Sequence, residues 1–109
     1  MKTDVIDFNF VSYSAYEIIY FAEYISSKMK SNSRFSNLKT MIEELDFNII
    51  TLLNYSLVSK TTDPQDSAAL FQTKEEIIEI LKILAKYVCR IAENDESIIT
   101  MSGFQLEHK

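Results

Sequence analysis

The sequence predicts an all-α protein, an antiparallel up-down helical bundle of three long helices plus a short fourth, with extended N- and C-terminal arms. Three observations predict it. Apolar residues recur at alternating steps of four and three in three separate stretches, the spacing that lines one side of a helix. Glycine and proline occur once each in 109 residues, too few for a fold built on tight turns. Serine, threonine or aspartate stands at or near the start of each stretch, with the chemistry of an N-cap. Short connections make neighbouring helices antiparallel. A chain of this length forms one domain, residues 1–109, with helices over about 14–30, 38–60, 64–94 and 95–101.

Taken in order, residues 4–11 alternate, with Ile6, Phe8 and Phe10 on one side and Asp7 and Asn9 on the other. Period two predicts an extended arm, which has to lie on something. The first helix opens at Ser14, which with Glu17 makes a capping box, while Tyr13 and Ile18 stand at the staple positions. Ile18, Ala22, Ile25 and Met29 form its stripe, with Phe21 beside it. It ends near Ser31-Asn32, where Asn32 takes a left-handed cap, and Phe35 in the following loop tucks under the bundle end.

The second helix starts between Ser36 and Thr40, with Thr40 and Glu43 as its capping pair. Leu38, Ile42, Leu45, Ile49 and Leu52 make its seam, which Phe47, Ile50 and Leu57 broaden; it frays near Ser59 and Lys60. Thr61, Thr62 and Asp63 lead into the longest helix, where Asp63 caps and Pro64 sits at N1. Leu70, Lys74, Ile77, Leu81, Leu84, Val88 and Ile91 form that seam, widened by Ile78, Ala85 and Ala92 on one side and Ile80 and Tyr87 on the other. Thr73 with Glu76 is a second start signal inside it, which predicts irregular first turns. Asp95 caps a fourth helix of about two turns. Gly103 then takes a positive φ, and Phe104 and Leu106 alternate with polar residues in an extended end.

Composition removes several function classes. The net charge is −5 and no basic residues cluster, which argues against nucleic-acid partners. No apolar run approaches the ~20 residues of a membrane span. The start of the sequence shows no signal peptide, so a cytoplasmic location is the default expectation. One cysteine forbids an intrachain disulfide, and one histidine, His108 in the tail, removes di-iron, most zinc sites and any histidine-based triad. Cys89, with no histidine to act as its base, reads as a buried inert thiol. Glu43, Glu44 and Asp46 read as a solvated, dipole-favoured helix start rather than an acid–base pair. A single glycine excludes a glycine-rich phosphate loop. No catalytic, cofactor-binding or metal-binding residue is therefore expected.

Tyrosine is the feature a minimal bundle does not need. Tyr16, Tyr20 and Tyr24 step by four on the side of the first helix away from its apolar stripe, and Tyr13 falls with them. Either the N-terminal arm or the fourth helix covers them, using Ile6, Phe8 and Phe10, or they form a partner interface, most simply a homodimer. The expected function is a non-enzymatic protein interaction or assembly module. The alternative is a small enzyme or ligand-carrying bundle with a polar site in its interior.

The end of the sequence carries a resemblance. The run Ala92-Glu93-Asn94-Asp95-Glu96-Ser97-Ile98-Ile99, followed by Ser102-Gly103-Phe104-Gln105-Leu106, resembles a small family of Bacteroidota helical domains of about 100 residues that close on a Ser-Gly-Phe-x-Leu tail. Ser12 through Ala22, Asn32 and Phe35 match the same family's front end. In longer members the tail leads into a fibronectin type III-like domain. The resemblance implies an antiparallel helical bundle and brings neither a catalytic activity nor a binding residue. This chain departs from the longer members in having no proline in the first loop.

Overall fold

The computed structural model describes residues 6–58, 64–93 and 95–107. Within them run four α-helices: α1 Ala15–Lys30, α2 Lys39–Val58, α3 Pro64–Ala92 and α4 Glu96–Met101. Two 3-10 segments, Asn9–Ser12 and Ser33–Leu38, precede α1 and α2. The all-α class holds: no β-strand occurs among the described residues, and the one β contact is an isolated antiparallel bridge between Ile6 and Leu106. Several readings made on the sequence fall outside the described residues: the Asp63 cap, the Thr61-Thr62 link, the fraying at Ser59 and Lys60, Asn94, the tail residue His108, and the side chain of Leu57.

The helix boundaries follow local chemistry. Ser14 caps α1 as a full capping box: Glu17 N donates to Ser14 Oγ at 3.3 Å, and Ser14 N donates to Glu17 Oε1 at 2.9 Å. Asn32 does not take the left-handed cap; it is extended at φ −126° and ψ 117°. Its side chain instead accepts from Arg34 N at 3.0 Å and starts the 3-10 segment. That segment runs directly into α2, because Lys39 is already helical at φ −52° and ψ −45°, so Thr40 lies inside the helix and not at its cap. Thr73 likewise starts nothing. Its Oγ1 donates to the Ala69 carbonyl at 2.9 Å within an unbroken α3. α3 ends at Ala92 rather than Asn94, because Glu93 turns left-handed at φ 49°. Asp95 caps α4 by accepting from Ser97 N at 3.0 Å.

The N-terminal arm is not extended throughout. The Asp7 carboxylate accepts from Asn9 N at 2.8 Å and from Asn9 Nδ2 at 3.0 Å, which bends the chain into the 3-10 turn Asn9–Ser12. The alternating burial survives only in part: Ile6 and Phe10 are buried and Asn9 is exposed, while Asp7 and Phe8 are both half-buried.

The core is made by the four-and-three seams. Ile18, Ala22 and Ile25 of α1, Leu45 and Leu52 of α2, and Ile77, Leu81, Leu84 and Val88 of α3 have no exposed surface. Each large aliphatic side chain so buried contributes roughly 1.5–3 kcal/mol. Phe35 closes one end of this core, as its place in the loop predicts. Leu70 and Lys74, at the start of the α3 seam, are only half-buried. A second, aromatic cluster joins the chain's two ends. Phe10 stacks on Phe21 at 5.3 Å between ring centroids, Phe104 meets Phe10 at 6.2 Å and Phe21 at 6.0 Å, and Asp7 N donates to the Gln105 carbonyl at 2.8 Å. Gly103 makes the approach to this cluster at φ +95°; a Cβ there would stand 3.1 Å from both Ile25 Cδ1 and Tyr24 Cε2.

The Cα envelope measures 46 × 30 × 16 Å. Its short dimension is roughly two helix layers at the usual axis spacing of about 8–10 Å. A slab this thin has much outer face for its volume.

Candidate functional site

The four tyrosines of the α1 stripe do not share one environment. Tyr13 is half-buried, its ring edge-on to Phe21 at 5.6 Å. Tyr24 leans on the C-terminal turn beside Gly103, with Lys28 Nζ 5.7 Å from its ring centroid. It lines an open notch of about 550 Å³ with Thr100, Gly103, Phe104, Gln105 and Leu106. Tyr16 and Tyr20 are bare, at 59% and 73% exposed. Among the described residues, those of the N-terminal arm meet α1 at Phe21, through Phe10 and Tyr13.

The structure adds a surface that sequence reasoning assigned to the core. Phe47 and Ile50 are 69% and 59% exposed, and Leu53 is 38% exposed. Phe47 is two residues from both Leu45 and Ile49, so at about 100° per residue it points away from the seam they define. The signal that could have found it was in the sequence: Phe47 to Val58 contains no charged residue, although α2 has only one side to bury.

A polar clasp shows which flanks of α1 and α2 face each other. Asp46 accepts from Ser26 Oγ at 2.6 Å and pairs with Lys30. The flank of α2 carrying Asp46 therefore faces α1. Ile50 lies one turn on from Asp46 and Leu53 two turns on, along that same flank, with Phe47 about 100° further round. On α1, Tyr16 and Tyr20 stand about 80° and 120° from Ser26, in the direction of Lys30 and away from the buried stripe. The five side chains thus lie on one outer side of the α1–α2 pair. Asp46 itself departs from the solvated reading: it is half-buried, and it ties two helices together.

Elsewhere the polar groups are structural or solvated. Glu44, Gln72, Glu75, Glu76 and Glu79 rim an open groove of about 410 Å³ floored by Ile80 and Ile83. Lys82 pairs with Glu79 at 3.2 Å. Among the described residues no group of three His, Cys, Asp or Glu side chains is placed to hold a metal ion, and no helix is long and apolar enough to cross a membrane. Cys89 is half-buried against the core rather than fully buried. Tyr87, expected to widen the α3 seam, is exposed, with the Arg90 guanidinium 5.7 Å from its ring centroid.

Two carboxylates are held below the usual range. Glu17 is lowered by its hydrogen bonds with Ser14, the backbone one first. Asp95 is lowered first by the Ser97 hydroxyl and then by the Ser97 amide. Both are exposed cap residues, so their perturbation belongs to helix starts and not to acid–base chemistry.

No family model, curated protein or solved structure matches the chain. The reading of function rests on the surface just described.

Proposed function

We propose that this chain is a non-enzymatic protein interaction or assembly module that docks its partner on the outer side of the α1–α2 pair. The observation that carries the reading is the five-residue surface itself: Tyr16, Tyr20, Phe47, Ile50 and Leu53, all exposed and on one side. Aromatic side chains bring large contact area and, in tyrosine, a polar tip, the composition found at the centres of interfaces. The interior favours this reading over a ligand carrier, because the core cluster that fills it is apolar. Tyr13 and Tyr24 take a lesser part, the first packed inward and the second set against the tail.

The proposal includes an up-down, antiparallel course for α1, α2 and α3. It is supported by the short link 31–38, most of it the 3-10 segment Ser33–Leu38, and by Asp46 in the first half of α2 meeting Ser26 and Lys30 near the end of α1. Kinship with the helical domains that end in Ser-Gly-Phe-x-Leu is part of the same reading. Its support is the Ser102-Gly103-Phe104-Gln105-Leu106 run, which here locks the C-terminal end onto Phe10 and Phe21.

The test is a comparative capture. Wild-type protein and a Tyr20→Glu/Ile50→Glu double variant are immobilised and exposed to an extract of the source cells. At least one protein, which is allowed to be the chain itself, is expected on the wild type and absent from the variant. Identical sets on both supports overturn the reading.

A further inference from the structure

Resting on the interaction reading, we infer that the occupant of the α1–α2 outer face is a second copy of this chain, related by a two-fold axis near Ile50. Three properties of the face carry the inference.

The first is area. The five side chains average about 60% exposed. At roughly 200 Å² for a fully exposed large side chain, they offer about 600 Å² per copy. Two such faces bury about 1,200 Å² before any rim residue is counted, which reaches the lower bound for a specific, stable interface. A surface that meets this requirement with its own duplicate needs no further partner.

The second is charge. Each copy carries a net charge of −5, so most ways of bringing two copies together oppose carboxylates. On α2 this face avoids most of that; on α1 it keeps one exposed carboxylate, Glu23, seven residues after Tyr16. Phe47 to Val58 carries no charge, while Glu43, Glu44 and Asp46 all lie at the α2 start, with Asp46 already paired to Lys30. A two-fold axis near Ile50 sets the acidic start of one α2 beside the uncharged later half of the other.

The third is symmetry. An isologous contact needs a patch complementary to itself. A helix face with a flat aromatic (Phe47) one turn from a branched aliphatic (Ile50) meets that need, since an antiparallel copy sets Ile50 near its own counterpart and Phe47 near the partner's Leu53.

The experiment is sedimentation equilibrium of the full chain from about 1 to 500 µM, a range that brackets micromolar self-affinity. Wild type is expected to shift from monomer to dimer within it and to stop there. Ile50→Glu is expected to raise the dissociation constant about 30-fold or more, as for an interface hot spot, with an unchanged helical circular dichroism spectrum. Tyr20→Glu moves the same way. Ile83→Glu, in the α2–α3 groove, leaves the dimer intact and controls for general surface charge.

A wild type that is monomeric across the range overturns the inference, as does a dimer that Ile83→Glu breaks and Ile50→Glu does not. If the monomeric wild type still captures a different protein in a manner that Tyr20→Glu/Ile50→Glu abolishes, the second copy is overturned while the interaction reading stands. If neither the chain nor any other protein is captured through this face, both fall.

Discussion

Two aromatic groups in this chain meet opposite fates. Phe10 and Phe104 are enclosed where the two terminal segments meet, at only 1% and 2% exposed, with Phe8 and Phe21 half-buried beside them. Tyr16, Tyr20 and Phe47 stand in water on the outer side of α1 and α2. Both groups use residues outside the main helical seams. Phe21 lies at the edge of the α1 stripe, about 60–80° from its centre, and would be as exposed as its neighbours if nothing crossed it. The difference is that, among the described residues, Phe10 and Phe104 of the two terminal segments meet Phe21, and none is seen against Tyr20. Helix periodicity decides which residues meet in the middle of the slab; the reach of short irregular segments decides which of the remaining aromatics is covered.

The comparison is broken most forcefully at Phe104. Replacing it with alanine is expected to cost about 3–5 kcal/mol in denaturant unfolding, whereas Phe47→Ala stays within about 0.5 kcal/mol when both are compared at a concentration where the chain is monomeric. Equal losses would mean that Phe47 is buried in the monomer, and the contrast would be lost. A smaller effect comes from Gly103. Gly103→Ala forces a side chain into the φ +95° backbone and against Tyr24 and Ile25, at an expected cost of about 1–3 kcal/mol; a neutral outcome would mean that the tail is not seated as described.

The smallest effect is with pH. The Glu17 and Asp95 carboxyls titrate below their ordinary values in the folded chain. Their stabilising contribution is therefore present above the unfolded values, near pH 4.3 and 3.9, and is lost as pH falls through the lowered folded ones. Hydrogen exchange at the first turns of α1 and α4 should accelerate in that window before the α3 core does. Ser14→Ala should flatten the α1 response and leave that of α4 unchanged.

Much of this arrangement was legible in the sequence. Ser14 with Glu17, Asp95 and Gly103 each signal a local backbone need, and local needs are met by the residues that state them. The seams of α1, α2 and α3 were readable for the same reason, since each position's burial follows from its spacing to the next. What failed involved competition between segments. Thr40 and Thr73 have the chemistry of caps, but the first is overtaken by the incoming 3-10 segment and the second donates to its own helix. Asp7 alternates like a strand residue, yet its carboxylate bends the chain at Asn9. The clasp at Asp46 joins residues far apart in sequence, which spacing cannot foretell. The candidate surface was half legible: Tyr16 and Tyr20 stood out, while Phe47 and Ile50 were assigned to the core by hydrophobicity where their angle on the helix placed them outside it.

The meeting of Ile6 with Leu106 has a consequence for the order in which the molecule assembles. The bridge and the Asp7 to Gln105 hydrogen bond close a loop of almost the whole chain, the most entropically demanding contact available to it. Such a contact is reached only after intervening helices have shortened the distance between the termini. It is therefore expected late in folding, and exchange at the Asp7 amide reports whether it has closed.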